Sequence, residues 1–382
     1  MAKLIEITGK ALSGEWGKDD ETGNGIPVLR TTNFTNEGVI DYNSVVTRTI
    51  TKKNIGEKFL RKGDIIIEKS GGSEKFPVGR VVYFDGDDNT YLFNNFTGLL
   101  RVKEPKIWYP RYVFYSLFAN YKRGGTRMFE NKTTGLHNLK TDDYVSRYEV
   151  TEIDMFEQVS VCDKLDRLYE IVNERKQQLE LLDELVKARF VEMFGDPVHN
   201  PYGWNKTELK ELADLKIGPF GSLLHKEDYI EGGHALVNPS HIVDGRIIID
   251  SKLTVSEDKY EELSAYHLKV GDVVMGRRGE MGRCAVVEEE GLLCGTGSLL
   301  IRPKGKVTAD YIQKIISYPT FKKTIDDMAV GQTMPNLNVP IVSGFRIITP
   351  PIEVQNSYYD FVAQVDKSKF VMPAFRCVPM LS

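Results

Sequence analysis

The chain has 382 residues, of which 41% are hydrophobic and 27% charged, the balance of a globular protein large enough for two or three domains. This composition excludes a disordered or fibrous chain, and no apolar run approaches the roughly 18 residues that indicate a membrane span. The net charge of −4 argues against a nucleic-acid-binding protein, but the charge is unevenly placed. Residues 1–150 carry 23 Lys and Arg against 19 Asp and Glu, whereas residues 151–200 carry 6 against 12. The acidic block is most simply a solvated helix face.

The start of the chain and its cysteines indicate a cytoplasmic protein. The segment Met1–Glu6 holds one lysine and one glutamate and begins no long apolar stretch, so we expect no signal peptide. The cysteines show neither a CxxC pair nor disulfide-like spacing, which is typical of reduced thiols. They are Cys162, Cys284, Cys294 and Cys377.

Short elements of a mixed α/β fold are predicted on both sides of one long helix. Runs of β-branched and aromatic residues beside glycine predict strands, and less interrupted apolar runs predict short helices. The strands fall at 63–67, 79–84, 271–275 and 346–348, and the short helices at 110–119 and 309–316.

The long helix is predicted over residues 155–193, which contain neither Gly nor Pro. Its apolar residues alternate in steps of four and three, the heptad pattern of a helix packed against another long helix. The pattern ends at Gly195-Asp196-Pro197, a helix-ending signal. The seam comprises Val161, Leu165, Leu168, Val172, Leu179, Leu182, Val186 and Met193.

An internal repeat shows that the flanking regions are copies of one domain. Leu60–Ile66 resembles Leu268–Val274 at an offset of 208 residues, and Asn138-Leu139 resembles Asn336-Leu337 at an offset of 198. The second copy should therefore also lead into a helix, which would cover Leu179 to Met193 and leave Val161 to Val172 open. That helix breaks off in the proline-containing tail 371–382.

A search for catalytic chemistry leaves one candidate. Neither GxxxxGK[ST] nor HExxH is present, and the histidines lack metal-ligand spacing. Asp88, Glu104 and Lys106 resemble the acidic and cationic set of a metal-dependent nuclease. Pro105 would disturb the strand that such a site needs, and a plain turn is the simpler interpretation.

The loops offer binding chemistry instead. Arginine can hold guanine or a phosphate with its planar fork, and Asn, Gln, His and Thr can contact base edges or phosphates. Taken alone, the loops are more simply explained as flexible hairpins with solvated cations. The candidate DNA-binding residues are Lys69, Ser70, Arg80, Lys132, His137 and Asn138 in the first copy and Arg277, Arg278, Arg283, Gln332 and Asn336 in the second.

The chain resembles the specificity (S) subunits of type I restriction–modification systems. The resemblance rests on Lys187–Pro197 at the end of the long helix, on Asn200–Trp204, and on Pro350–Gln355 before the second helix. It extends over about residues 4–370. The shortened second helix departs from the family, as does the missing counterpart of Trp204 near the N-terminus.

This resemblance implies two target recognition domains, at 1–150 and 197–352, joined by antiparallel conserved helices at 151–196 and 353–370. Each domain would read one half of a split double-stranded DNA target, and the chain itself would be non-catalytic. The helices would dock methylation subunits, which bind S-adenosylmethionine, and a motor/restriction subunit would use ATP and Mg. The docking residues would be Leu165, Leu168, Val172, Leu179, Leu182 and Val186. An inactive or silent truncated variant is one alternative, and a stand-alone nuclease is the other.

Overall fold

The computed structural model describes residues 1–133, 136–280, 282–328 and 336–371. The chain forms two compact units, Met1–Asn173 and Glu174–Ser382, which we call the first and second lobes. The boundary falls inside the long helix. Residues 372–382, which include Cys377 and all but the first residue of the atypical tail, lie outside the described residues.

The first lobe is built from short strands around one main helix. Its helices are α1 (Leu4–Thr8), α2 (Pro110–Lys122) and α3 (Thr141–Arg147). Its strands are β1 (Ala2–Lys3), β2 (Leu12–Ser13), β3 (Lys18–Asp19), β4 (Ile26–Leu29), β5 (Val46–Thr49), β6 (Ile65–Glu68), β7 (Ser70–Gly72), β8 (Val81–Tyr83), β9 (Leu92–Phe93), β10 (Thr97–Leu100), β11 (Glu130–Thr133), β12 (Leu136–Leu139) and β13 (Glu149–Val150).

The second lobe follows the long helix α4 (Met155–Phe194). Its other helices are α5 (Leu209–Leu212), α6 (Glu257–Glu262), α7 (Ala309–Ile316), α8 (Pro319–Met328), α9 (Val339–Ser343) and α10 (Ile352–Val371). Its strands are β14 (Lys206–Glu208), β15 (Ala213–Ile217), β16 (Tyr229–Ile230), β17 (His234–Val237), β18 (Ile242–Val243), β19 (Arg246–Ile247), β20 (Thr254–Val255), β21 (Val273–Gly276), β22 (Cys284–Val286), β23 (Leu293–Cys294), β24 (Ser298–Pro303) and β25 (Arg346–Ile348).

The sheets repeat between the lobes, as the sequence repeat predicts. The order β2-β10-β6-β8 in the first lobe returns as β15-β24-β21-β22 in the second. The order β3-β5-β4-β9 returns as β16-β20-β17-β23, including the parallel pairs β4–β9 and β17–β23. The pairs β1–β13 and β14–β25 close the two copies in the same way.

The repeated Gly-Asp element gives each copy a buried ion pair. Asp64 accepts two hydrogen bonds from Arg101, at 2.8 and 2.6 Å, and a third from the main-chain nitrogen of Arg61 at 2.7 Å. Asp272 accepts two from Arg302, both at 2.7 Å, and one from the nitrogen of Lys269 at 2.7 Å. Both aspartates are about 2% exposed. Each copy therefore uses an equivalent buried carboxylate to fix the turn that starts its central strand.

Each copy also begins its long helix with a buried glutamine. Gln158 accepts a hydrogen bond from the nitrogen of Tyr109 and donates to two main-chain carbonyls at 2.9 Å. Gln355 accepts from the nitrogen of Thr308 at 3.1 Å and donates to the carbonyl of Pro350 at 2.9 Å. A buried amide is stable only when it is hydrogen-bonded, so these contacts tie α4 and α10 to their lobes.

The end of α4 lies in the core of the second lobe. Phe190 and Phe194 are fully buried, and both rings contact the ring of Tyr358 on α10, with centroids 5.5 Å apart. The helix ends at Gly195, which adopts a left-handed φ of +73°. This agrees with the predicted helix end, but the sequence seam had passed over both phenylalanines.

Helices α4 and α10 run antiparallel where they pack together in the second lobe. Lys369 of α10 bonds to Asp183 of α4 at 2.7 Å, and Phe361 lies under the guanidinium of Arg189. Later residues of α10 therefore contact earlier residues of α4, and α10 covers α4 only back to about residue 180.

The exposure of the seam corrects the sequence prediction at three positions. Leu168 is 51% exposed and Val161 37% exposed, as expected for the stretch that α10 does not reach. Leu179 was expected to be covered but is 39% exposed, because α10 ends beside the next turn. Leu165 was expected to be open but packs against the core of the first lobe. Val172 was also expected to be open but is half-buried, as are the remaining docking candidates Leu182 and Val186. Within the described ranges, no helix combines the length and apolar character needed to cross a bilayer.

Candidate nucleic-acid interface

In the first lobe, the two loops singled out from the sequence meet at one sheet edge. Strand β7 pairs with β12, which also pairs with β11. The register places Ser70 opposite Asn138 and Lys132 opposite His137. Residues about 70 positions apart in the chain are therefore neighbours at this edge, which we call the first edge.

The second lobe brings its two loops together at the equivalent place. Arg278 forms an isolated antiparallel bridge with Asn336, at the position where Ser70 pairs with Asn138 in the β7–β12 ladder. The preceding residues, Lys69 and Arg277, also match in their main-chain bonds. Lys69 donates to Phe96 at 2.8 Å and accepts from Leu139 at 2.8 Å, whereas Arg277 donates to Gly297 at 3.0 Å and accepts from Leu337 at 3.0 Å. We call the pairing of Arg278 with Asn336 the second edge.

Side chains at the equivalent positions differ between the lobes. The Lys69 ammonium donates to the hydroxyl of Ser13 at 2.9 Å, and burial lowers its pKa. The Arg277 guanidinium donates from Nε to the carbonyl of Leu337 at 2.8 Å, and burial followed by the nearby Arg278 lowers its pKa. Arg277 therefore holds the second edge together, and the side chain of Arg278 is exposed.

The structure gives two of the predicted DNA-binding arginines an internal role. Arg80 donates to the carbonyls of Phe34 and Thr31 at 2.8 and 2.9 Å and lies 3.3 Å from Glu68. Arg283 donates to the carbonyl of Pro239 at 3.1 Å and to Glu280 at 2.8 Å. Both residues precede an equivalent strand, β8 or β22, so they fix the same turn in each copy.

The remaining DNA-binding candidates are His137, Asn336, Gln332 and Lys132. His137 is 9% exposed, and its Nδ1 lies 3.3 Å from a carboxylate oxygen of Glu130, so the imidazole faces the sheet. Asn336 is half-buried, with its side-chain oxygen 3.4 Å from Arg277. Gln332 lies outside the described residues, and for Lys132 the main-chain position in β11 is described.

The nuclease candidate gains no support. Asp88 accepts a hydrogen bond from the main-chain nitrogen of Lys62 at 2.6 Å, which gives it a role in a turn. Glu104 and Lys106 lie exposed in the turn before α2. Across the ranges that the structure describes, which include both carboxylates, no three His, Cys, Asp or Glu side chains are grouped to hold a metal ion.

The sequence reasoning missed a group of basic residues in the first lobe. Lys75, Lys122, Arg123 and Arg127 lie around one cavity next to the turn that follows β7. The available signal was charge counted in a smaller window, because residues 101–150 alone carry 10 Lys and Arg against 5 Asp and Glu.

The fold and the paired edges define a class of two-lobed α/β proteins in which a long helix follows each copy of a duplicated domain. Two solved structures have this fold. The S subunit of a type I restriction–modification system from M. genitalium is 14% identical, with a TM-score of 0.56, and the match covers 97% of this chain and 90% of that one. A chain from a structure on the assembly and conformational transition of a type I restriction–modification system is 15% identical, with a TM-score of 0.58 and coverage of 97% and 92%.

Sequence comparison gives the same resemblance. Residues 201–370 match the type I restriction modification DNA specificity domain. A curated relative, the MjaX type I restriction enzyme specificity subunit of Methanocaldococcus jannaschii, is 26% identical over 175 residues. That match covers 44% of this chain and 40% of the relative's length. The resemblance of this chain to the specificity subunits of type I restriction–modification systems is thereby confirmed.

Proposed function

We propose that this chain is the DNA sequence-recognition subunit of a type I restriction–modification complex and catalyses no reaction itself. Each lobe would read one half of a bipartite double-stranded target. The observation that carries this proposal is the repeated edge, since two loops distant in sequence meet at the same place in both copies. Duplication of the domain accounts for the repeated main-chain pairing, whereas the different side chains on it, Ser70 in one copy and Arg278 in the other, are what two different half-sites would need.

The second part of the proposal is that α4 docks a methylation subunit. Its exposed seam residues Val161 and Leu168 lie in the stretch that α10 does not reach. Apolar side chains exposed along a helix are typical of an interface awaiting a partner helix. The partner subunits would bring S-adenosylmethionine, and a motor/restriction subunit would bring ATP and Mg.

The test of recognition is to co-express the chain with its methylation subunit and map methylated adenines across the host genome. We expect a single split motif with two constant halves. If the complex assembles but leaves the DNA unmethylated, the chain is an inactive variant of a specificity subunit, the alternative that its shortened second helix suggests. Cleavage of DNA by the purified chain with magnesium alone would overturn the non-catalytic role.

The test of docking uses two matched leucines on α4. Leu168→Glu places a charge on the exposed seam, and we expect it to abolish capture of the methylation subunit. Leu181→Glu is the control, because Leu181 is 68% exposed but lies roughly 140° around the helix from Leu168. Equal capture by both variants and the unaltered chain would refute docking on the seam. Leu165 is unsuitable as a probe, since it packs against the first-lobe core.

A further inference from the structure

A cavity of about 360 Å³ opens in the first lobe beside the first edge. On one side is the turn between β7 and β8, which supplies Lys75 and Phe76. On the other side is the end of α2 and the segment after it, which supply Lys122, Arg123 and Arg127. Four cationic side chains therefore surround one opening.

These cations have no acidic partner within 4.0 Å among the described residues. Arg127 donates to the main-chain carbonyl of Glu74 at 3.1 Å, and Arg123 donates from Nε to the carbonyl of Ala119 at 3.3 Å. The ammonium of Lys122 lies 5.4 Å from the ring centroid of Phe118. All four cationic side chains are exposed, so their charge is available to an anion.

A cavity of similar size in the second lobe, about 350 Å³, contains cations that are paired with a carboxylate. Its cations Arg283 and Lys322 both bond to Glu280, at 2.8 and 3.0 Å. The hydrogen bond from Arg283, followed by that from Lys322, lowers the pKa of Glu280 and keeps the carboxylate charged. The second lobe therefore neutralises its own cationic cavity.

The first-lobe cavity is connected to the first edge by short contacts. The main-chain nitrogen of Ser73 donates to the carbonyl of Phe76 at 2.6 Å, which closes the turn that carries Lys75. Glu130 then accepts a hydrogen bond from the nitrogen of Val78 at 2.9 Å and lies 3.3 Å from His137. An anion held in the cavity would thus be held at a fixed position relative to the first edge.

We infer that this cavity is a DNA-phosphate anchoring site, so that the first lobe supplies more of the salt-dependent affinity than the second. The inference rests on the proposed function, and it assigns to the two lobes unequal shares in holding the DNA. Lysine and arginine bind phosphate as point charge and planar fork, and each neutralised phosphate on a duplex releases counterions. Sequence discrimination at the edges is a separate contribution, because phosphate contacts position a protein without specifying the base.

The experiment measures DNA affinity of the assembled complex with its methylation subunits, at salt concentrations from about 50 to 200 mM. Lys122→Ala/Arg123→Ala removes two exposed charges from the cavity. We expect the slope of log affinity against log salt to become shallower by about 1 to 2. Over that fourfold range of salt, the unaltered complex should then lose about 4- to 16-fold more affinity than the variant.

Lys53→Ala/Lys62→Ala is the matched control, since it removes from the same lobe two exposed lysine charges that do not line the cavity and have no acidic partner within 4.0 Å among the described residues. The control should change the slope by less than half as much. An equal change would mean that only the total charge of the lobe matters, and it would overturn the site. Lys75→Ala, on the other wall of the cavity, should lower the slope by about 1 and guards against a local folding effect of the double variant.

The outcomes separate this inference from the proposed function. If the unaltered complex binds its target but the cavity variants keep the full salt slope, the anchoring site is refuted and sequence recognition stands. If the unaltered complex binds no DNA, the proposed function fails and the site fails with it. Calorimetric titration of the chain with inorganic phosphate distinguishes a site for free anions from a site for DNA phosphate. If the cavity variants lose phosphate binding but keep the full salt slope for DNA, the cavity binds free anions only, and the proposal is overturned.

Discussion

Replacing Asp272 with alanine should destabilise the second lobe strongly. Asp272 is 2% exposed and accepts two hydrogen bonds from Arg302 and one from the nitrogen of Lys269. Breaking a buried pair by removing one partner costs about 3–5 kcal/mol. The side chain of Arg302 is 36% exposed and can regain contact with water, so we expect a loss of about 2–4 kcal/mol in the free energy of unfolding.

Scanning calorimetry of the full chain is the assay. For a unit of this size, that loss corresponds to a decrease of about 5–12 °C in the melting temperature of the second lobe. Asp214→Ala is the matched control, because Asp214 pairs with Lys304 at 3.0 Å while its own side chain is 75% exposed. Exposed pairs contribute about 0–1 kcal/mol, so the control should shift the melting temperature little.

The internal repeat supplies a second check on the same reasoning. Asp64→Ala removes the equivalent carboxylate in the first lobe, where Arg101 makes the same paired bonds. It should lower the melting temperature of the first lobe by a similar amount. If Asp272→Ala changes the melting temperature no more than Asp214→Ala does, the buried pair is not what fixes the central strand, and the structural reasoning is wrong.

Three further predictions concern the edges, the isolated chain and pH. Arg278→Ala should relax the base preference in one half of the target only, with a loss of about 1–3 kcal/mol in binding free energy if Arg278 contacts a base. Arg277→Ala should in addition lower the stability of the second lobe. Methylome mapping measures the first effect, and calorimetry measures the second. The isolated chain should bind DNA weakly and with little specificity because its net charge is −4, and a tight, specific complex in a gel-shift titration would contradict this. The hydrogen bond that His234 donates to the carboxylate of Glu257 raises the pKa of His234, so the stabilisation it gives is complete below pH of about 6.5 and is lost as pH rises through the raised value. Urea unfolding should show a loss of a few tenths of a kcal/mol between the two ends of that window, and Glu257→Gln should remove this dependence.

Much of the fold could be predicted from the sequence because its signals are local. The long helix extends from Met155 to Phe194, within one residue of the range expected from the absence of Gly and Pro. The strand beginning at Val273 and the helix Ala309–Ile316 were indicated by short runs of apolar residues. The repeat extended these predictions, since a similar sequence at a fixed offset implies a similar topology.

The site was harder to predict, because side-chain direction depends on the tertiary structure. Arg80 and Arg277 have the residue type of a DNA contact, yet their guanidinium groups donate to main-chain carbonyls of their own lobe. The seam on α4 also misled, because a heptad pattern does not say which face packs on the lobe. Phe190 lies off that seam and is buried, whereas Leu179 lies on the seam and is exposed.

The repeat can be used as an internal alignment that separates the scaffold from the recognition surface. Positions that make the same contacts in both copies, such as Asp64 with Asp272 and Gln158 with Gln355, are needed for the fold whichever DNA is read.

Positions with the same main-chain bonds but different side chains are not needed for the fold through their side chains. Ser70 and Arg278 are such a pair, since both lie opposite an asparagine at the edge while one carries a short hydroxyl and the other a long exposed cation. A serine hydroxyl and an arginine fork favour different base edges. If both edges read DNA, the two halves of the target should therefore differ in sequence. Exchanging Ser70 and Arg278 should change the base preference of both halves while the chain still folds.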